Sequence, residues 1–128
     1  MKESQIWRHI NLIQKKHRDW HFVRIESNTI NGIPDINACM DGVEFWLELK
    51  SNDAKNYGLT KYQMSWCLKR QAAGGKSFIL HNSLAKREFK ILEIRDSGLP
   101  FPVSRFPYTK PATILPSILI ELARRAAA

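Results

Sequence analysis

Apolar residues in 3–18 recur at Ile6, Ile10 and Ile13, with Lys2, Arg8, Lys15, Lys16 and Arg18 mostly off that stripe. This spacing predicts a helix with one buried face. From Trp20 to Glu26 the run WHFVRIE alternates with a period of two and predicts a strand, which the polar stretch SNTING ends. PDINACM (34–40) and VEFWLELK (43–50) read as two further strands. Asp41-Gly42 between them suits a two-residue hairpin turn. SNDAKNYG (51–58) is a loop, and Leu59 to Ala73 reads as a helix closed by Gly74-Gly75. KSFILH (76–81) and EFKILEI (88–94) supply two more strands. Five of the six prolines fall in 100–116, which predicts an irregular arm before a final apolar helix from Ser117. The order αβββαββ plus a C-terminal helix makes this an α/β protein with a mixed sheet flanked by helices. No repeat or second domain interrupts it, so 1–128 is expected to be one domain, with a core over 3–95, a proline-rich arm over 96–116 and a helix over 117–127.

Composition narrows the function classes. A chain of 128 residues, 44% hydrophobic, is long enough to build a core without disulfides or a structural metal. No apolar run reaches the roughly 18 to 20 residues that cross a bilayer, and the N-terminal stretch lacks a signal-peptide core, so a cytoplasmic protein without membrane contact is expected. Cys39 and Cys67 have neither CxxC spacing nor a histidine pair nearby, which excludes a zinc finger and predicts small buried thiols. The formal net charge is +8, yet residues 21–50 carry five acidic side chains against two basic ones, while 51–90 carry eight basic against two acidic. Basic flanks attract a polyanion, and carboxylates clustered between them suit a divalent cation.

In the third strand, Val43, Phe45, Leu47 and Leu49 share one face and Glu44, Trp46, Glu48 and Lys50 the other. Glu48 and Lys50 then lie about 6.6 Å apart along one strand. The preceding strand begins at Gly32-Ile33-Pro34-Asp35, where Gly permits close backbone approach and Pro pre-sets the chain. Pairing through the Asp-Gly turn brings Asp35 near Glu48. Two carboxylates that close repel unless a cation lies between them, and Mg²⁺ suits the site because it takes only one or two carboxylates. Lys50 adds a positive point charge beside an attacked phosphate.

The residues GIPD (32–35), the strand VEFWLELK with Glu48-x-Lys50, and a following helix containing Gln63 resemble the PD-(D/E)XK nuclease superfamily. Within it the chain is most similar to VRR-NUC and Holliday-junction-resolvase-like nucleases, including compact bacteriophage versions, over about Arg24 to Leu80. The resemblance implies a restriction-endonuclease-like fold and a Mg²⁺-dependent DNA endonuclease, structure-selective in recombination, repair or DNA processing, with Mn²⁺ substituting. It implies that Asp35, Glu48 and the backbone carbonyl of Leu49 bind the metal, that Lys50 acts in catalysis, that Gln63 approaches from its helix, and that Glu3 of the first helix completes the site. Cutting two strands implies a homodimer. Gln63 also stands in a capping box, Thr60-x-x-Gln63.

Arg24, Ser27, Lys55, Lys61, Lys69, Arg70 and Lys76 are candidate DNA contacts, although a solvated charged face would carry the same residues. Trp46, on the site face, is expected to pack beneath the first helix, with stacking on a base as the alternative reading. GGKS (74–77) is not a phosphate loop, because Arg70 stands where an earlier Gly is needed. The alternative from another class is a non-catalytic nucleic-acid-binding module on a nuclease-like scaffold.

Overall fold

A computed structural model describes residues 1–27 and 29–128; Asn28, in the stretch that ends the first strand, lies outside the described residues. Among the described residues ten elements follow in order, three of them α-helices and six of them strands. They are α1 (Glu3–Gln14), β1 (Trp20–Arg24), β2 (Ile36–Met40), β3 (Val43–Ser51), a short 3-10 turn (Lys55–Gly58), α2 (Lys61–Ala72), β4 (Ser77–Ser83), β5 (Glu88–Ile94), β6 (Pro100–Pro107) and α3 (Pro111–Ala127). The strands form one six-stranded sheet in chain order. Every neighbouring pair is antiparallel except β3 and β4, which run parallel because α2 carries the chain back between them. This is the mixed α/β architecture that the sequence predicts.

Local chemistry explains the main boundaries. Asp41 and Gly42 both have positive φ, at 51° and 85°, the geometry that lets a two-residue turn follow the twist of β2 and β3. Thr60 caps α2 by accepting from the Gln63 N–H at 3.2 Å. At the other end Gly75 N–H reaches the Arg70 carbonyl and Gly74 N–H the Gln71 carbonyl, each at 2.9 Å, with Gly74 at φ +93°.

The alternation of β3 sorts the two faces. Phe45, Leu47 and Leu49 turn to α1 and α3, where they join Ile6, Ile10, Phe78, Leu80, Leu115 and Leu119 in the main core. Ile6 and Ile10 are fully buried, each contributing about 2 kcal/mol. The opposite face holds a smaller core of Leu59, Cys67, Ile79, Leu92 and Ile94 beneath α2. Both cysteines are free, and burial pushes the Cys67 thiol up to about 11.

The proline-rich arm is corrected by the structure. Pro100–Pro107 forms β6, paired along β5, and α3 begins at Pro111, six residues before Ser117. An edge strand needs backbone donors on one side only, so it tolerates prolines that a central strand would not. Pro111 stands at the first helical position, where its missing N–H would have no partner in any case. Both sheet edges are blunted. The prolines of β6 remove donors from one edge. On the other, the Gln14 side-chain amide donates to the Phe22 carbonyl at 3.0 Å and accepts from the Phe22 N–H at 2.7 Å, standing in for a strand partner of β1.

Candidate active site

The β2–β3 register decides where the acids meet. Ile36 pairs with Leu47, so Asp35, just before β2, lies beside the end of β3. Its Oδ2 accepts the Leu49 N–H at 2.9 Å, and its own carbonyl accepts the Ile25 N–H at 2.6 Å. A strand residue turns its N–H and C=O to the same edge, so the Leu49 carbonyl also faces Asp35. Gly32, at φ +83°, holds the loop before Pro34 against the first turn of α2; a Cβ there would stand 2.1 Å from the Tyr62 carbonyl oxygen. That contact seats Gln63 over β3. Gln63 makes two contacts: its Oε1 accepts the Thr60 N–H at 2.9 Å, while its Nε2 donates to Glu48 Oε1 at 3.0 Å.

Glu48 is 4% exposed, and its second oxygen, Oε2, is buried with no hydrogen-bond partner. Burial first, and the neighbouring Asp35 carboxylate second, push its pKa up to about 9, against a smaller opposite pull from Lys50. A carboxyl so placed holds a proton at neutral pH or gives it up to a cation. The orphaned oxygen, the adjoining acid and the hard oxygen donors fit a divalent ion such as Mg²⁺.

A hollow of about 40 Å³, lined by Glu3, Trp7, Arg24, Asp35, Ile36 and Leu49, opens beside Asp35. Glu3 reaches it from the first turn of α1, with its Oε2 accepting the Ser51 N–H at 3.2 Å. Among the described residues no group of three or more His, Cys, Asp and Glu side chains gathers in metal-holding geometry. Asp35 and Glu48 are a pair, with Glu3 at the margin.

The candidate DNA contacts divide. Arg24 lines the hollow and lies 4.0 Å from Glu26, and exposed Lys55 and Lys61 stand at the same end of the sheet, after β3 and at the start of α2. Ser27 is engaged in a turn, its Oγ accepting the Ile30 N–H at 3.2 Å. Lys69 and Arg70 lie at the far end of α2, about 10 Å along the helix from Gln63. Lys76 also lies at that far end, its Nζ donating to the Ala128 carbonyl at 3.2 Å.

Trp46 corrects its expectation. It packs under α2, 5.2 Å from the Trp66 ring, and not beneath α1. The readable signal was the stripe Gln63, Trp66, Arg70 on one face of α2. His81 carried no such signal: it pairs in register with Lys50, is buried, and holds the Asn52 carbonyl through Nε2 at 2.8 Å.

No protein-family model matches the sequence, and no curated protein matches it. No helix among the described residues is long and apolar enough to cross a membrane. Among solved structures the chain is similar to Hjc, a Holliday junction resolvase from the archaeal hyperthermophile Archaeoglobus fulgidus. The TM-score is 0.46 at 11% sequence identity, over 79% of this chain and 87% of that one.

Proposed function

We propose that this chain is a Mg²⁺-dependent DNA endonuclease of the PD-(D/E)XK type, resolvase-like and selective for DNA structure, with Mn²⁺ able to substitute. The observation that carries this reading is the buried, unpartnered Oε2 of Glu48 beside Asp35, on the strand that presents Lys50. A scaffold that only bound nucleic acid would gain nothing from a buried acid held ready for a cation.

Asp35, Glu48 and the Leu49 carbonyl would hold the ion, with Glu3 lining the hollow beside Asp35 and Leu49. When bound, it supplies a Lewis acid that polarises a phosphoryl oxygen and neutralises charge on the departing oxygen. Gln63 holds the Glu48 carboxyl through Oε1 and leaves Oε2 unpartnered, where it would be available to a cation. Leu49 N–H fixes Asp35 in the same way. Lys50 places its ammonium beside the attacked phosphate, where it orients the water and stabilises the added negative charge. Arg24, at the mouth of the hollow, holds a neighbouring phosphate. Water adds to phosphorus and one P–O ester bond breaks, leaving a phosphate monoester and a free hydroxyl.

One such site cuts one strand, so two copies are part of this reading. The blunted sheet edges leave the outer face of α3, with exposed Ile120, as the candidate for that contact.

The test is incubation of purified protein with supercoiled, linear and branched DNA in Mg²⁺, Mn²⁺ or EDTA. Cleavage is expected with either metal and is abolished by Lys50→Ala, while that variant keeps the thermal stabilisation that Mg²⁺ gives the wild type. Absence of cutting on every substrate, or wild-type cutting by Lys50→Ala, refutes the reading.

A further inference from the structure

On the face that carries Glu48, the sheet is only partly roofed. α2 packs on β4 and β5. The in-register residues Val23, Asn37 and Trp46 continue that face across β1, β2 and β3, and all three keep solvent contact. The open strip ends against the side of α2 that bears Gln63, Trp66 and Arg70. Two indoles therefore lie side by side at its margin, Trp46 from the floor and Trp66 from the wall, both half-buried.

Arg70 is held over them. Its stem lies across Gly75, where a Cβ would stand 2.5 Å from Arg70 Cδ, and its guanidinium sits 4.6 Å from the Trp66 ring and 5.5 Å from Trp46. A groove of about 530 Å³ runs past this group, lined by Trp66, Lys69, Arg70, Ala73, Gly74 and Gly75. Trp66 packs in part against the smaller core with Met64 and Leu68, and the rest of its indole stays open to solvent beside Lys69 and Arg70. Flat aromatic and guanidinium surfaces flanked by positive charge are what unpaired bases and their phosphates recognise. Trp46 precedes Glu48 by two residues on the same face, about 7 Å along the strand, while the groove itself lies at the far end of α2, about 10 Å along the helix from Gln63.

We propose that the Trp46–Trp66–Arg70 group is a stacking site for an unpaired nucleotide of the DNA strand, with Lys69 on its phosphate. The substrate class is then DNA with a single-stranded segment next to the cut, not uninterrupted duplex. This rests on the nuclease reading for its link to cleavage, but not for binding itself.

The experiment is binding in EDTA, which removes cleavage from the readout. The probes are an oligothymidylate of about ten nucleotides and a blunt duplex of the same length. Oligothymidylate is expected to quench indole fluorescence. Trp66→Ala is expected to bind it about 5- to 150-fold more weakly, with a smaller loss on the duplex, and Trp66→Phe restores most of the affinity. Should Trp66→Ala fail to fold by circular dichroism, exposed Arg70→Ala serves instead and is expected to weaken binding several-fold. Undiminished oligothymidylate binding by a folded variant, or no quenching, overturns the proposal. Quenching with no cleavage in Mg²⁺ leaves the stacking site standing and removes the nuclease reading alone; cleavage without quenching does the reverse.

Discussion

Replacing Glu48 by Gln separates the candidate metal ligand from the fold that buries it. In the metal-free protein Glu48 keeps its proton up to about pH 9, whereas the unfolded chain releases it near the ordinary value of 4.5. Between those values the folded state binds one more proton than the unfolded state. Stability therefore falls as pH rises, by about 1.4 kcal/mol per pH unit, or roughly 2 to 3 kcal/mol between pH 6 and pH 8. Glu48→Gln removes that slope. Its amide oxygen accepts from Gln63 Nε2 as Glu48 Oε1 does, and its NH2 takes the place of the unpartnered Oε2, with no charge to bury.

In EDTA at pH 8 the variant is expected to melt on the order of 10 °C above the wild type, and the gap should narrow toward pH 5. Saturating Mg²⁺ then raises the wild type, by about 3 kcal/mol at a hundredfold excess over Kd. It leaves the variant nearly unmoved and inactive. Calorimetric or fluorescence melts from pH 5 to pH 9, with and without Mg²⁺, make the measurement. A variant less stable than the wild type across that range in EDTA, or one with the same pH slope, would show that Glu48 is not held as described.

Three further outcomes are expected. Gly32→Ala meets the Tyr62 carbonyl at 2.1 Å in a positive-φ position, and should lower stability by about 2 to 5 kcal/mol in urea titration; an unchanged midpoint would mean that the loop does not press on α2. Burial holds the His81 pKa below its ordinary 6.5, so its contribution is complete above that pH and is lost as pH falls from there through the lowered value. His81→Gln should flatten this limb of the stability curve while leaving the more acidic loss due to Glu88, whose own pKa is lowered chiefly by its hydrogen bond from Arg105. Gln14→Leu removes both hydrogen bonds from Phe22 and bares the β1 edge. Light scattering should then show more self-association than in the wild type, and an equally monodisperse variant would assign edge protection elsewhere.

Local pattern was enough for most elements. The alternation of VEFWLELK separates core from site face, Asp41-Gly42 sets the hairpin, and the hairpin places Asp35 beside Glu48 by register alone. Gln63 could be read as a cap because a capping box is a short-range arrangement. The arm at 100–116 is a strand and the start of a helix where the prolines predict irregular chain, because proline counts report a missing donor without saying whether any partner needed it. Only the pairing of β6 as the last strand of the sheet shows that none did on its outer side.

By itself, then, the sequence determined the order of elements, the apolar faces and the residues that carry charge, since these depend on neighbours a few positions apart. Tertiary structure alone decided the rest: the burial that raises Glu48, the seating of Gly32 against α2, the meeting of Trp46 with Trp66 and the closing of β1 by Gln14. Each of these is a relation between groups distant in the chain, where solvent exclusion and close approach arise only after the layers have packed.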